Sequence, residues 1–214
     1  MKTIERPRMT HGLLHCPHCW SLGLWLIGLL GVGFSLLITS TPRRVEDGSL
    51  STLGVDGRAA PLFNGTLITV GAGFFVLAFL TYRILHEMQR HQRLNTPRLC
   101  TLTLPLIFIG AALILAGCFH LDDGPASDIH ILASASSLAT VLILMLTPPG
   151  FLGVLFGWVS RATAATIGGL LALSGEHLLA YTLMEIGILT LAGFWLCWLQ
   201  IRLRASAEQI VKNP

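Results

Sequence analysis

Residues 99–119 read LCTLTLPLIFIGAALILAGCF, a run without a single charged side chain. A helix needs about 20 apolar residues to cross a hydrocarbon layer about 30 Å thick, and this run has that length. Thr96, Pro97 and Arg98 stand before it and His120, Asp122 and Asp123 after it, so polar groups fall where a bilayer would meet water. Working outward, five further apolar runs repeat the pattern at 20–39, 65–84, 129–146, 162–173 and 178–201. The fifth is short for a crossing, and a start near Phe151 would lengthen it. Backbone polar groups inside lipid must be satisfied within the chain, and runs without a two-residue alternation favour helices over barrel strands. The expected fold is all-α: a polytopic membrane protein built as a bundle of six transmembrane helices.

Composition agrees. Hydrophobic residues make up 53% of the 214 positions and charged residues 12%, about half the share of roughly 25% usual in soluble domains. Mean hydropathy is +0.70. Six crossings use most of the chain and leave no room for a sizeable soluble domain. The formal charge of +3 sits in short segments beside the runs, which makes it a topology signal and excludes a nucleic-acid partner. Residues 1–19 are too long and too polar for the n-region of a cleaved signal peptide, so the first crossing is expected to be retained.

Basic residues near span ends collect on the cytoplasmic side. Counting alternate sides puts Lys2, Arg6, Arg8, Arg83, Arg90, Arg93, Arg98, Arg161, Arg202, Arg204 and Lys212 on one face, and only Arg43, Arg44 and Arg58 on the other. Both termini are therefore expected in the cytoplasm of a cell with this protein in its inner membrane. Residues 1–19 form the N-terminal segment, 20–201 the membrane domain and 202–214 the C-terminal tail. The outward loops, near Pro42 to Asn64, His120 to Asp128 and Ser174 to His177, hold most of the acid. Glycine pairs in the runs, Gly28 with Gly31, Gly71 with Gly73 and Gly168 with Gly169, are expected to let neighbouring helices approach closely, because small residues replace the missing hydrophobic drive in lipid.

The first outward loop and second span carry Leu50-Ser51-Thr52-Leu53-Gly54, then Leu62-Phe63-Asn64-Gly65-Thr66-Leu67-Ile68. This resembles the bacterial membrane family known as domain of unknown function 998, in which an LS-x-LG turn precedes an LFN start to a glycine-bearing span. His130 ahead of Ala133, Ser134 and Ala135, and Met184-Glu185 ahead of a Trp-containing helix end, fit the same pattern. The chain departs from it at Ile186, where the family often has a basic residue, which puts a Glu-Arg pairing there in doubt. The resemblance implies a six-helix integral membrane protein, more distantly similar to the Frag/DRAM/Sfk group with its lipid and membrane-organising roles.

Ionisable groups in or beside spans are costly, so each needs a partner or a purpose. His120, His130, Asp128 and His177 lie at neighbouring span ends and form the candidate metal set, since imidazole with carboxylate suits Zn²⁺. With an open coordination position, such an ion would activate water for lipid hydrolysis. The competing reading is solvated interface and helix capping, with Asp128 favoured by the dipole of the fourth span. No dense ligand motif such as His-Glu-x-x-His is present.

Glu185 lies inside the last span, with Tyr181 four residues before it and Thr182 three. It is a candidate proton or cation site in a polar groove with Asn64 and Ser134; the structural alternative is a polar clasp to Asn64 or His130. Ser134 and Ser137 share a face with His130 and are expected to hydrogen-bond between helices. Asn64 is expected to cap the second helix. Cys16 and Cys19 form a Cys-x-x-Cys pair that is open to three readings: incidental interfacial residues, a soft-metal site with a nearby His, or a redox pair. The preferred function is a lipid-interacting or membrane-organising protein without catalysis. A metal-dependent membrane hydrolase and a small proton-coupled carrier using Glu185 remain as alternatives.

Overall fold

The structure, a computed structural model, describes residues 17–39, 50–55, 57–90, 96–119, 124–175 and 181–212. Within them the secondary structure is helical. Six long helices run α1 Pro17–Ile38, α2 Ala60–Arg90, α3 Thr96–Cys118, α4 Pro125–Leu146, α5 Val154–Gly175 and α6 Tyr181–Lys212. Each is long and apolar enough to cross a membrane. Two short 3-10 turns, Leu50–Gly54 and Gly150–Leu152, interrupt the connections.

Local chemistry explains the helix starts. Proline opens α1 and α4, where its missing N–H costs nothing and its fixed φ suits the first turn. Glycines just ahead of α4 and α5, Gly124 at φ 109° and Gly153 at φ 94°, supply backbone angles that other residues rarely adopt. Pro105 lies inside α3.

The helices pack in chain order as a closed ring, α1 against α2, then on to α6 and back to α1, with α2 also meeting α6 across the middle. The two ends of the bundle differ. At the end where α1 begins and α6 finishes, the terminal end, Leu85, Met88, Leu102, Met145, Phe156, Leu199 and Leu203 are almost wholly buried in one large cluster. At the other end, hereafter the turn end, a smaller cluster joins Val32, Leu50, Leu53, Ala59 and Phe63, with Ile186 packed beside it. Around the outside runs a belt of exposed apolar side chains, with Leu37 79%, Leu132 71% and Val154 78% exposed. Water tolerates no apolar surface of that extent, whereas lipid is its natural neighbour.

Three expectations about the spans change. The loop from Pro42 to Asn64 is not polar throughout: Leu50, Leu53 and Ala59 are buried and α2 begins at Ala60. The fifth helix starts at Val154, which puts Arg161 inside the span rather than at its edge. The glycine pairs divide. A Cβ on Gly71 would lie 2.7 Å from the Gly110 carbonyl oxygen, and one on Gly110 2.8 Å from that of Gly71, so α2 and α3 touch backbone to backbone. Gly31 meets Thr66 and Gly73 meets Leu24 closely, but nothing lies within 4 Å of a Cβ on Gly168 or Gly169. Those two face outward, because α5 turns only one side to the bundle.

Candidate functional site at the turn end

The Leu50–Gly54 turn folds down onto the bundle between α1, α2 and α6. Leu50 and Leu53 enter the small apolar cluster, at 4% and 0% exposure, and carry the backbone of the turn with them out of water. Buried backbone groups need partners, and side chains from two helices supply them. The Leu50 N–H donates to Oε2 of Glu185 on α6. At the far end of the turn, Asn64 of α2 donates from Nδ2 to the Gly54 carbonyl at 3.0 Å. A Cβ at position 54 would stand 2.9 Å from Asn64 Oδ1 and displace the amide that holds the turn.

Glu185 and Asn64 thus act on one element, the first holding the N–H of its first residue and the second the C=O of its last. The expected clasp between Glu185 and Asn64 exists in indirect form, through the turn. Asn64 is not a helix cap, because α2 starts four residues before it. Ile186 packs against the apolar cluster beneath the turn. Tyr181 is exposed at the start of α6 and Thr182 is half-buried.

His130, one turn and more into α4, is 2% exposed. Its Nδ1 lies 2.8 Å from the Ala116 carbonyl oxygen and 2.9 Å from that of Phe119. Carbonyls only accept, so Nδ1 carries the hydrogen and caps the end of α3, whose last carbonyls have no helical partner. Nε2 is left with its lone pair, buried and without a partner among the described residues. Asp128, two residues earlier, is exposed in the first turn of α4, where the helix dipole favours an acid. Residues two apart on a helix point to different sides, so the structure does not bring His130 and Asp128 together. His120 and His177 lie outside the described residues, as does Cys16. Cys19 is exposed in the first turn of α1. Among the described residues no group of three His, Cys, Asp or Glu side chains is placed to hold a metal ion.

The serine face of α4 is corrected as well. Ser136 donates to the Ala133 carbonyl, Ser137 to that of Ser134 and Thr140 to that of Ser136, so these hydroxyls bond back along their own helix rather than across to another. Ser134 is half-buried. Besides His130 on the end of α3, polar contacts between helices lie toward the terminal end. Gln200 of α6 donates to Thr81 of α2 at 3.1 Å, and Trp195 of α6 donates to Ser160 of α5 at 2.8 Å, all four residues buried. Arg202 donates to the Leu152 carbonyl at 2.9 Å and ties α6 to the second turn. Sequence reading singled out none of Thr81, Ser160, Trp195 and Gln200, and counted Arg202 only as a topology signal. The signal was a polar group within or beside an apolar run, which is the mark of a group that needs a partner on another helix.

On the flank of the bundle, α5 and α6 leave a groove of about 240 Å³ lined by Val159, Phe194, Cys197, Trp198 and Ile201. Its walls are almost wholly apolar, and Arg202 follows directly on Ile201.

The chain matches no known protein family, no curated protein and no solved structure. The LSTLG and LFN stretches are the residues that build and receive the buried turn.

Proposed function

We propose that this is a lipid-interacting inner-membrane protein of bacterial type, without catalysis, with both termini in the cytoplasm, and that the α5–α6 groove receives a lipid acyl chain. The groove carries the reading. It opens sideways at the level of the apolar belt, and its lining offers an acyl chain almost wholly apolar contact. The commitment of Glu185, Asn64 and His130 to the chain's own backbone supports a structural use of the polar residues at the turn end. The excess of Lys and Arg at the terminal end supports the orientation.

Quenching by lipids brominated on the acyl chain tests the proposal. In a chain whose only tryptophan is Trp198, quenching should be strong, and Val159→Phe, which fills the groove, should cut it by half or more. Quenching that Val159→Phe leaves unchanged overturns the groove as a lipid site. A reporter fused after Pro214 that is active only outside the cytoplasm overturns the orientation.

A further inference from the structure

Arg161 occupies an unusual place. It lies seven residues into α5, about 10 Å along the axis at 1.5 Å per residue, and it is exposed on the side of the helix turned away from the bundle. It belongs to the stretch Val154–Ser174 that crosses the membrane. No carboxylate among the described residues pairs with it; the ion pairs there are those of Arg90 with Glu87 and Arg204 with Glu208. A guanidinium facing hydrocarbon is costly unless it is paired or reaches the interface.

The surface around it is equally distinct. Ala162, Ala165, Gly168, Gly169 and Ala172 are all exposed on the same broad side, and Arg161, Ala165, Gly168 and Ala172 follow one another at helical spacing. Lipid gains nothing from small residues, whereas another helix does, because its backbone can come close. Open space at Gly168 and Gly169 leaves room for that approach.

We propose that this face of α5 docks a transmembrane helix of another protein that carries one Asp or Glu at the depth of Arg161. Charge complementarity selects this occupant. A second copy packed face to face would set Arg161 against Arg161. Within the described spans of this chain the half-buried acid, Glu185, already accepts from Leu50, Glu87 and Glu208 pair with Arg90 and Arg204 on their own helices, and Asp128 is exposed near the turn end, about half a span from Arg161 in depth. The partner's carboxylate would pair bidentately with the guanidinium in a medium that strengthens the bond.

The test uses the full chain in zwitterionic bicelles and a synthetic Leu/Ala helix of about 22 residues, long enough to span, with one Asp set about 10 Å in from its cytoplasmic end. Association is read by energy transfer. The Asp helix should bind about tenfold or more tighter than the same helix with Leu in that place, a margin of about one charged contact. Arg161→Met should remove the preference, and Arg161→Asp should transfer it to a helix with Arg in the Asp position. Gly169→Ile, which meets nothing in the folded chain, should weaken binding of the Asp helix while leaving the unfolding midpoint unchanged.

Equal binding of the Leu and Asp helices overturns the proposal. So does an Arg161-dependent dimer of the chain itself. A third overturning result is Arg161 governing retention of anionic phospholipid but not of the Asp helix, since the residue then serves a lipid phosphate.

Discussion

Replacing Glu185 by Met removes an acceptor while keeping the length of the side chain, and its effect follows from where Leu50 sits. The Leu50 N–H is held by Glu185, and Leu50 itself is 4% exposed, so in the variant the donor has neither a carboxylate nor ready access to water. An unsatisfied buried group costs about 1–3 kcal/mol. The turn will not simply fall out, because burial of Leu50 and Leu53 still stabilises it by about 1.5–3 kcal/mol each. The loss should therefore appear as more frequent opening. At about 2 kcal/mol, the open population rises about 30-fold.

Cysteine accessibility measures this directly. In a chain with its five native cysteines replaced, a thiol at Leu53→Cys is buried when the turn is down and reactive toward a polar maleimide only when it lifts. Glu185→Met should speed labelling by about 10- to 100-fold, equivalent to about 1.4–2.8 kcal/mol. Glu185→Gln, which keeps a carbonyl acceptor for the Leu50 N–H, should stay within about tenfold of the parent, since the donor remains satisfied by a bond of about 0.5–1.5 kcal/mol. Asn64→Leu, acting at the other end of the turn, should resemble Glu185→Met. Labelling of Leu53→Cys that is as slow with Glu185→Met as without it would refute the reasoning that this carboxylate latches the turn.

Gly71→Ala should lower stability by about 1–3 kcal/mol, because the new methyl meets the Gly110 backbone and cannot be relieved by a side-chain rotation; Gly168→Ala, in open space, should leave the unfolding midpoint in bicelles unchanged or slightly raised. Thr81→Val and Gln200→Leu should each destabilise, yet the double variant should lose less than their sum, with a coupling of about 0.6 and at most about 1.7 kcal/mol in a double-mutant cycle. Additive losses would mean that the Thr81–Gln200 bond contributes nothing beyond its two ends.

The span pattern was legible from composition because the bilayer imposes it. Apolar runs of about 20 residues are a demand of thickness alone, independent of how helices neighbour one another. The run at 99–119 became α3 with its end at Cys118, and the LSTLG stretch became a turn. The site was only half legible. Glu185 and Asn64 stood out because polar groups in spans call for partners, but their shared partner is the backbone of a turn distant in sequence, which no periodicity reveals. The serines of α4 misled for a related reason: a hydroxyl inside a helix can satisfy itself on its own carbonyls, and spacing alone does not tell that choice from a bond across helices.

The sequence by itself determined that there would be six helices of membrane-crossing length, since thickness and transfer energy act on each segment separately. Only the tertiary structure decided which glycines touch, why Gly168 and Gly169 do not, and that Leu50–Gly54 is clamped at both ends. It also placed Arg161 on an outward face within a span. Those outcomes depend on how each helix is rotated about its axis and which neighbour it meets, quantities set by packing among all six helices together rather than by any one stretch of chain.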